Sequence, residues 1–82
     1  MLLDTVTVVL TRGEDGRFGI KVNYTTIVKI FEGSQAETDG LIHVGDEILA
    51  INHKNVDKNN IRHTLQNSGP SVNLTIRRAG NI

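Results

Sequence analysis

Alternating apolar and polar residues predict that short β-strands make up most of this chain. Residues 5–11 alternate so that Val6, Val8 and Leu10 share one face, which is the period of a half-buried strand. Residues 71–77 alternate in the same way, and the runs between them are rich in the β-branched residues that strands favour. The pattern predicts strands at residues 5–11, 20–24, 27–31, 47–51, 54–56 and 71–77.

Two stretches between these strands carry helix signals. Residues 34–39 form the shorter candidate, with Ser34 as the N-cap. Residues 58–67 form the longer one, with Ile61 and Leu65 four positions apart on one face. The predicted class is α+β and mainly β, a small, partly open β-barrel or sandwich of about five to six strands, capped by one short and one longer helix.

Composition and charge narrow the classes of function. Residues 1–82 are few enough that we expect one small domain. Nine basic and nine acidic side chains give no net charge, which argues against a nucleic-acid surface or a broad anionic-membrane surface. No apolar run approaches the ~20 residues that a membrane span needs, and no signal-peptide pattern is present, so we expect a cytoplasmic protein.

The residues that usually carry catalysis or bind metals are scattered. There is no cysteine, and His43, His53 and His63 have no metal-ligand spacing. Asp46 and Glu47 begin a predicted strand, where adjacent side chains point to opposite faces and do not share an acid–base task. We therefore predict no catalytic residue, no metal site, no cofactor and no enzyme activity.

The most specific chemistry lies in the stretch Gly16-Arg17-Phe18-Gly19-Ile20. Glycine between two large apolar residues leaves the backbone free to turn and permits close approach of another molecule. Successive amide groups in such a turn form a nest that binds one anion. The apolar neighbours line a pocket beside this nest, so a carboxylate attached to an apolar side chain is the expected ligand.

Two motifs follow one another along the chain. The first is Arg17-Phe18-Gly19-Ile20, and the second consists of residues 33–36 (GSQA) and 39–52 (DGLIHVGDEILAIN). In this order they resemble the x-Φ-Gly-Φ carboxylate-binding loop, where Φ is apolar, and the most recognisable run of the PDZ domain, and the resemblance covers nearly the whole chain. The likeness is to PDZ domains of animal scaffold proteins, and it implies a peptide-binding interaction module.

The resemblance implies a binding mode for the carboxyl terminus of a partner protein. The peptide adds as an antiparallel strand along Ile20, Lys21 and Val22. The loop residues hold its carboxylate through backbone amides, and its last side chain enters a pocket formed by Phe18, Ile20 and Leu65. A basic residue upstream of the loop, Arg12 or Arg17, adds water-mediated or long-range attraction.

The residue that selects the ligand's third-from-last side chain is ambiguous, because the segment before Gly69 is about three residues shorter than the family usually has. Counting back from Leu65 places Lys58 at the selecting position, with Arg62 one turn later. Counting forward from the preceding strand places Ile61 at that position, with Leu65 one turn later. We prefer Lys58, because this register turns Ile61 and Leu65 toward the core. A lysine and an arginine at the groove indicate acidic or polar ligand residues, whereas Ile61 at this position would indicate an apolar one.

The implied partners are C-terminal peptides of membrane receptors, channels or adhesion proteins, which would bring the protein to the inner face of the plasma membrane. The apolar last residue, Ile82, predicts weak self-association through the same groove. Two other functions remain open. One is a regulatory or substrate-sensing domain of a multidomain enzyme. The other is phosphoinositide binding through Lys21, Lys58 and Arg62, against which the neutral net charge counts.

Overall fold

The computed structural model describes residues 3–79, which form one antiparallel sheet of six strands with two short helices. The order along the sheet is β1-β6-β4-β3-β2, and β5 pairs with β4 off this path. The architecture is the mainly-β α+β fold that the sequence predicts. The elements are β1 (Leu3–Thr11), β2 (Ile20–Asn23), β3 (Thr26–Ile30), α1 (Gln35–Asp39), β4 (Glu47–Ile51), β5 (Lys54–Asn55), α2 (Ile61–Gln66) and β6 (Ser71–Ala79).

The inward residues of the two long strands form one wall of the core. The antiparallel register of β1 and β6 pairs Val8 with Leu74 and Leu10 with Val72, so the residues that alternate inward in the sequence meet on one face. The core is almost entirely aliphatic. Its buried members are Leu10, Phe18, Ile27, Ala36, Ile42, Ile48, Ile51, Ile61, Val72, Leu74 and Ile76.

The first helix, α1, has the cap that the sequence predicts. The hydroxyl of Ser34 accepts a hydrogen bond from the amide of Glu37 at 3.2 Å. The Glu37 carboxylate reaches back to accept from the amide of Gly33 at 2.9 Å, so two amides at the helix start are satisfied. Gly40, with φ of 65°, ends the helix in the left-handed conformation.

The second helix, α2, is shorter than the sequence predicts. It begins at Ile61 rather than at Lys58, and the prediction of a longer helix over 58–67 was wrong. The carboxylate of Asp57 accepts hydrogen bonds from the amides of Asn59 at 2.8 Å and Asn60 at 3.2 Å. These are the bonds that an N-cap makes, and the amide of Ile61 also donates to the carbonyl of Asp57 at 3.0 Å. The turn over 58–60 does not continue as regular helix, because Asn60, with φ of −119° and ψ of −11°, departs from helical geometry. Lys58 therefore precedes the helix and lies beside its first turn.

Two tight hairpin turns contain non-glycine residues with positive φ. Between β2 and β3, the pairing of Asn23 with Thr26 leaves a two-residue turn in which Tyr24 has φ of 55°, so the strand ends one residue earlier than predicted. Between β4 and β5, Asn52 and His53 have φ of 51° and 68°. Positive φ at both central residues is the type I′ pattern, for which glycine is preferred at the second position.

One ion pair joins the start of β4 to the end of β6. Asp46 is 2% exposed, and its carboxylate accepts from the Arg78 guanidinium at 2.6 and 2.9 Å and from the amide of His43 at 2.8 Å. Burial raises the pKa of Asp46, but the hydrogen bonds from Arg78 and His43, with the nearby positive charge, outweigh it and leave the pKa below its ordinary 3.8. The pair with Asp46 raises the pKa of Arg78. Glu47, the next residue, pairs instead with Arg77, so the two carboxylates do not form a common site.

Candidate functional site

A cavity of about 990 Å³ lies between the edge of β2 and helix α2. The 16–20 loop bounds one end of it, and Tyr24 lies at the other end of β2. Every residue that the sequence analysis assigns to the site lines this cavity. These are Arg12, Arg17, Phe18, Gly19, Ile20, Lys21, Val22, Lys58, Ile61, Arg62 and Leu65.

The hydrogen bonds at the start of β2 determine which backbone groups face the cavity. Ile20 and Ile30 are opposite each other in the β2–β3 register, and the amide of Phe31 donates to the carbonyl of Gly19 at 2.9 Å. In an antiparallel sheet, a hydrogen bond between the residues on either side of two opposed residues means that the opposed residues do not bond to each other. The amide and carbonyl of Ile20 therefore point away from β3, toward α2.

The loop before β2 presents two further amides. Within residues 3–79, the amide hydrogens of Phe18 and Gly19 have no hydrogen-bond acceptor. The loop itself is braced, because the amide of Gly13 donates to the carbonyl of Arg17 at 2.8 Å and the Arg17 amide donates to the Asp15 carboxylate at 2.9 Å. The amides of Phe18, Gly19 and Ile20 thus lie in succession at one end of the cavity, where they can bind an anion.

Gly19 is required at its position for two separate reasons. Its φ of 84° is a conformation that a side chain strains, and a Cβ atom built on it would lie 2.2 Å from the Cβ of Ser34. Ser34 is the cap of α1, so this helix packs directly behind the loop. The contact explains how the first helix fixes the position of the amides.

The apolar part of the cavity lies beside these amides. Phe18 is 7% exposed and Ile61 is 3% exposed, while Ile20 and Leu65 are half-buried and line the cavity. Ile61 and Leu65 are therefore on the more buried side of α2, and both also line the cavity. This arrangement leaves room for an apolar side chain next to an anion.

Arg12 ties helix α2 to the loop. Its guanidinium donates to the carbonyl of Gly16 at 2.8 Å, and its central carbon lies 4.2 Å from the centre of the Phe18 ring. The same group donates to carbonyls at and after the end of α2, at 2.8 Å to Leu65 and at 3.1 Å to Ser68 and Gly69, with a longer bond of 3.4 Å to Gln66. Carbonyls at a helix end lack partners within the helix. Arg12 therefore holds the two walls of the cavity together, which goes beyond the auxiliary attraction expected from the sequence.

Three exposed side chains surround the other end of the cavity. Lys58 and Arg62, four residues apart, line the α2 side. The ammonium of Lys58 lies 5.6 Å from the centre of the Tyr24 ring, so these two residues lie together across the end of the groove. Sequence reasoning missed Tyr24, because it was assigned to a strand end. Positive φ at a bulky aromatic residue is unusual, but it leaves no local signal in the sequence.

Other kinds of site are not found in the part of the chain that the structure describes. No group of three or more His, Asp or Glu side chains within 3–79 converges in a way that could hold a metal ion. None of the helices within this range is long and apolar enough to cross a membrane. The expected role of Ile82 falls outside the described residues.

Comparison with known proteins identifies the class. A family model described as the PDZ domain matches residues 7–77, so the chain belongs to the PDZ family of peptide-binding interaction modules. A solved PDZ domain from choanoflagellate SHANK1, bound to a GIRK3 peptide, has the same fold with a TM-score of 0.82. It is 21% identical, and the match covers 98% of each chain.

Two groups of curated relatives match a large part of the chain. Disks large homolog 3 from Mus musculus is 35% identical over 65 residues, which is 73% of this chain and 7% of that protein. Gamma-1-syntrophin from Homo sapiens is 36% identical over 80 residues, which is 85% of this chain and 16% of that protein. The chain therefore spans less than a fifth of the length of these relatives.

Proposed function

We propose that this domain captures the free carboxyl terminus of partner proteins in the groove between β2 and α2. The observation that supports the proposal is that Phe18, Gly19 and Ile20 line one end of the cavity, while the amides of Phe18 and Gly19 have no acceptor within residues 3–79. A peptide carboxylate there accepts charge-assisted hydrogen bonds, which are stronger than neutral ones. Burying a carboxylate without such donors is costly, and this cost is the reason that a free terminus is required.

The rest of the peptide pairs with the edge of β2. Because the amide and carbonyl of Ile20 point away from β3, they are available to an added antiparallel strand. The peptide's last side chain then enters the apolar region at Phe18, Ile20 and Leu65. Few residues are buried in such a complex, so we expect micromolar affinity, about −8 kcal/mol.

The test is a titration of fluorescent peptides that end in valine, with the terminal carboxyl either free or amidated. We expect the free form to bind and the amidated form to bind at least about tenfold more weakly. In ¹⁵N NMR spectra of the same titration, the amides of Phe18, Gly19 and Ile20 should shift the most. The amides of Val8 and Val9 on β1 serve as an internal reference and should stay in place. Equal binding of both peptide forms would contradict carboxylate capture.

The cellular setting follows from this binding mode. We propose that the domain is a cytoplasmic scaffold module that folds as one unit and is recruited to the inner face of the plasma membrane by the tails of membrane proteins. Expression of a fluorescent fusion tests this, because the Gly19→Ala variant should lose membrane enrichment that the unmodified domain shows. The enzyme-regulatory and phosphoinositide alternatives have less support, since the family match is to a peptide-binding domain.

A further inference from the structure

Positive charge is concentrated around the groove, although the chain as a whole is neutral. Five of the nine basic side chains line the cavity, against two acidic ones, Asp15 and Glu32. The two ion pairs within residues 3–79 belong to Arg77 and Arg78, on the β6 side of the sheet. Three cations along β2 and α2 therefore have no acidic partner within the described chain. They are Lys21, Lys58 and Arg62.

The helix side of the groove presents two of these cations. Ile20 and Val22 are the half-buried positions of β2, so they face α2 while Lys21 faces outward. A ligand side chain two residues before the last lies about 6.6 Å along β2 from the apolar pocket, on the same side as Val22. Lys58 and Arg62 line this stretch of the cavity. The contact of Lys58 with the Tyr24 ring holds its charge at the groove.

The outer face of the sheet presents the third cation. Lys21 lies directly opposite Lys29 in the β2–β3 register, and like charges in this position destabilise a strand pair. The Lys29 ammonium lies 4.9 Å from the centre of the Phe31 ring. A peptide strand added beside β2 runs about 4.8 Å from it and places its second- and fourth-from-last side chains on this outer face. A carboxylate at either position offsets the repulsion between the two lysines.

We infer that the preferred ligands are acidic C-terminal tails, with an apolar last residue preceded by consecutive Asp or Glu residues. The third-from-last carboxylate lies against Lys58 and Arg62, and the flanking carboxylates lie against Lys21. The preference thus acts on both faces of the peptide strand. This inference rests on the proposed capture of a carboxyl terminus, because the bound carboxylate fixes which ligand side chains face α2 and which face outward.

The experiment uses the domain and a matched set of fluorescent heptapeptides that all end in valine. One peptide is uncharged at the second-, third- and fourth-from-last positions, one has Glu only at the third, and one has Glu only at the second and fourth. We expect each carboxylate to tighten binding about 1.5- to 5-fold, as exposed charge pairs do. The gain should shrink between 50 and 300 mM NaCl, because salt screens such pairs.

Charge-removing variants assign the effect to residues. The Lys58→Gln variant should bind the peptide with Glu at the third-from-last position with less advantage over the peptide with Gln there, so the ratio of the two affinities falls. The Lys58→Glu variant should reverse the preference and favour a peptide with Lys at that position. Lys21→Gln should reduce the ratio at the second and fourth positions instead. Lys54→Gln is the matched control, because Lys54 is an exposed lysine of β5 that does not line the cavity. It should leave both ratios unchanged.

The outcomes separate this inference from the function on which it rests. If free-carboxyl peptides bind better than amidated ones but Glu and Gln peptides bind alike, the acidic preference is wrong and carboxylate capture stands. If amidation has no effect on any peptide, the proposed function itself fails. Binding to phosphatidylinositol-phosphate vesicles that depends on Lys21 and Lys58, without any preference among the peptides, would overturn the inference in favour of a lipid ligand.

Discussion

Replacing Arg12 with lysine separates a structural role of this residue from a purely electrostatic one. The substitution Arg12→Lys keeps the positive charge beside the 16–20 loop, so long-range attraction of a carboxylate is preserved. It removes the planar guanidinium, which donates to the carbonyls of Gly16, Leu65, Ser68 and Gly69 at 2.8 to 3.1 Å. If Arg12 acts by joining the loop to α2, the lysine variant is impaired despite its charge.

The size of the effect follows from these contacts. An ammonium group on a flexible four-carbon stem has three donors and cannot span acceptors on both walls, so we expect about two of the four hydrogen bonds to be lost. Each lost hydrogen bond costs about 1 kcal/mol, and the weakened contact with the Phe18 ring costs about 0.5 kcal/mol more. The total, about 2.5 kcal/mol, is a large share of the ~4 to 12 kcal/mol expected for a domain of this size.

The assay is thermal unfolding followed by far-UV circular dichroism, because the chain contains no tryptophan. A loss of about 2.5 kcal/mol lowers Tm by about 10 to 20 °C in a domain of this length. Binding of a free-carboxyl peptide should weaken in the same variant, since α2 is no longer tied to the loop. Arg17→Lys is the matched control. Arg17 is exposed, and its guanidinium makes no hydrogen bond within residues 3–79, so we expect a change within about 0.5 kcal/mol. An Arg12→Lys variant with the same Tm and peptide affinity as the unmodified domain would refute the idea that Arg12 holds the loop against α2.

Three further substitutions test other parts of the structure. Gly19→Ala should abolish peptide binding and destabilise the domain by more than Gly16→Ala. Both glycines have positive φ, but an added Cβ meets another side chain only at Gly19, so equal effects in peptide titrations and thermal melts would contradict the packing argument. His53→Gly should stabilise the domain by about 0.5 to 1 kcal/mol in urea unfolding, because glycine relieves the positive φ of the type I′ turn; a lower midpoint would show that the imidazole contributes more than the turn costs. The free energy of unfolding should decline as the pH falls from about 5 to 2. The folded pKa of Asp46 lies below its ordinary value, so the stability that it contributes is present above pH 3.8 and is lost as the pH falls through the folded pKa. Asp46→Asn should cost about 2 kcal/mol at pH 7 by leaving Arg78 without its partner, and should flatten that decline; an unchanged pH profile would show that other carboxylates cause it.

Much of the candidate site could be identified from the sequence because its chemistry is local. The loop that we propose binds an anion is a run of five residues, and the need for glycine at position 19 follows from backbone sterics that act within that run. The capping of α1 by Ser34 is local in the same sense, since donor and acceptor are three residues apart. These features lie where the sequence predicts, and the residues assigned to the groove line one cavity.

The second helix shows where local signals fail. The spacing of Ile61 and Leu65 indicates a helix correctly, but it does not show that the carboxylate of Asp57 holds the next three residues in a turn. The bonds to Asp57 are those of a cap, but the backbone of Asn60, with φ of −119° and ψ of −11°, departs from helical geometry and interrupts the regular helix. The helix therefore begins at Ile61, and Lys58 reaches the groove from outside it.

The sequence by itself determined the alternation that makes the strands, the glycine-containing loop and the cap of the first helix. Only the tertiary structure decided that Arg12 bonds to carbonyls more than fifty residues away and that Lys21 lies opposite Lys29. It also decided that the amide of Ile20 points toward the helix. The physical reason is the separation along the sequence over which each property acts. Periodicity and backbone conformation are properties of neighbouring residues. Register and long-range hydrogen bonding exist only after distant segments have packed together.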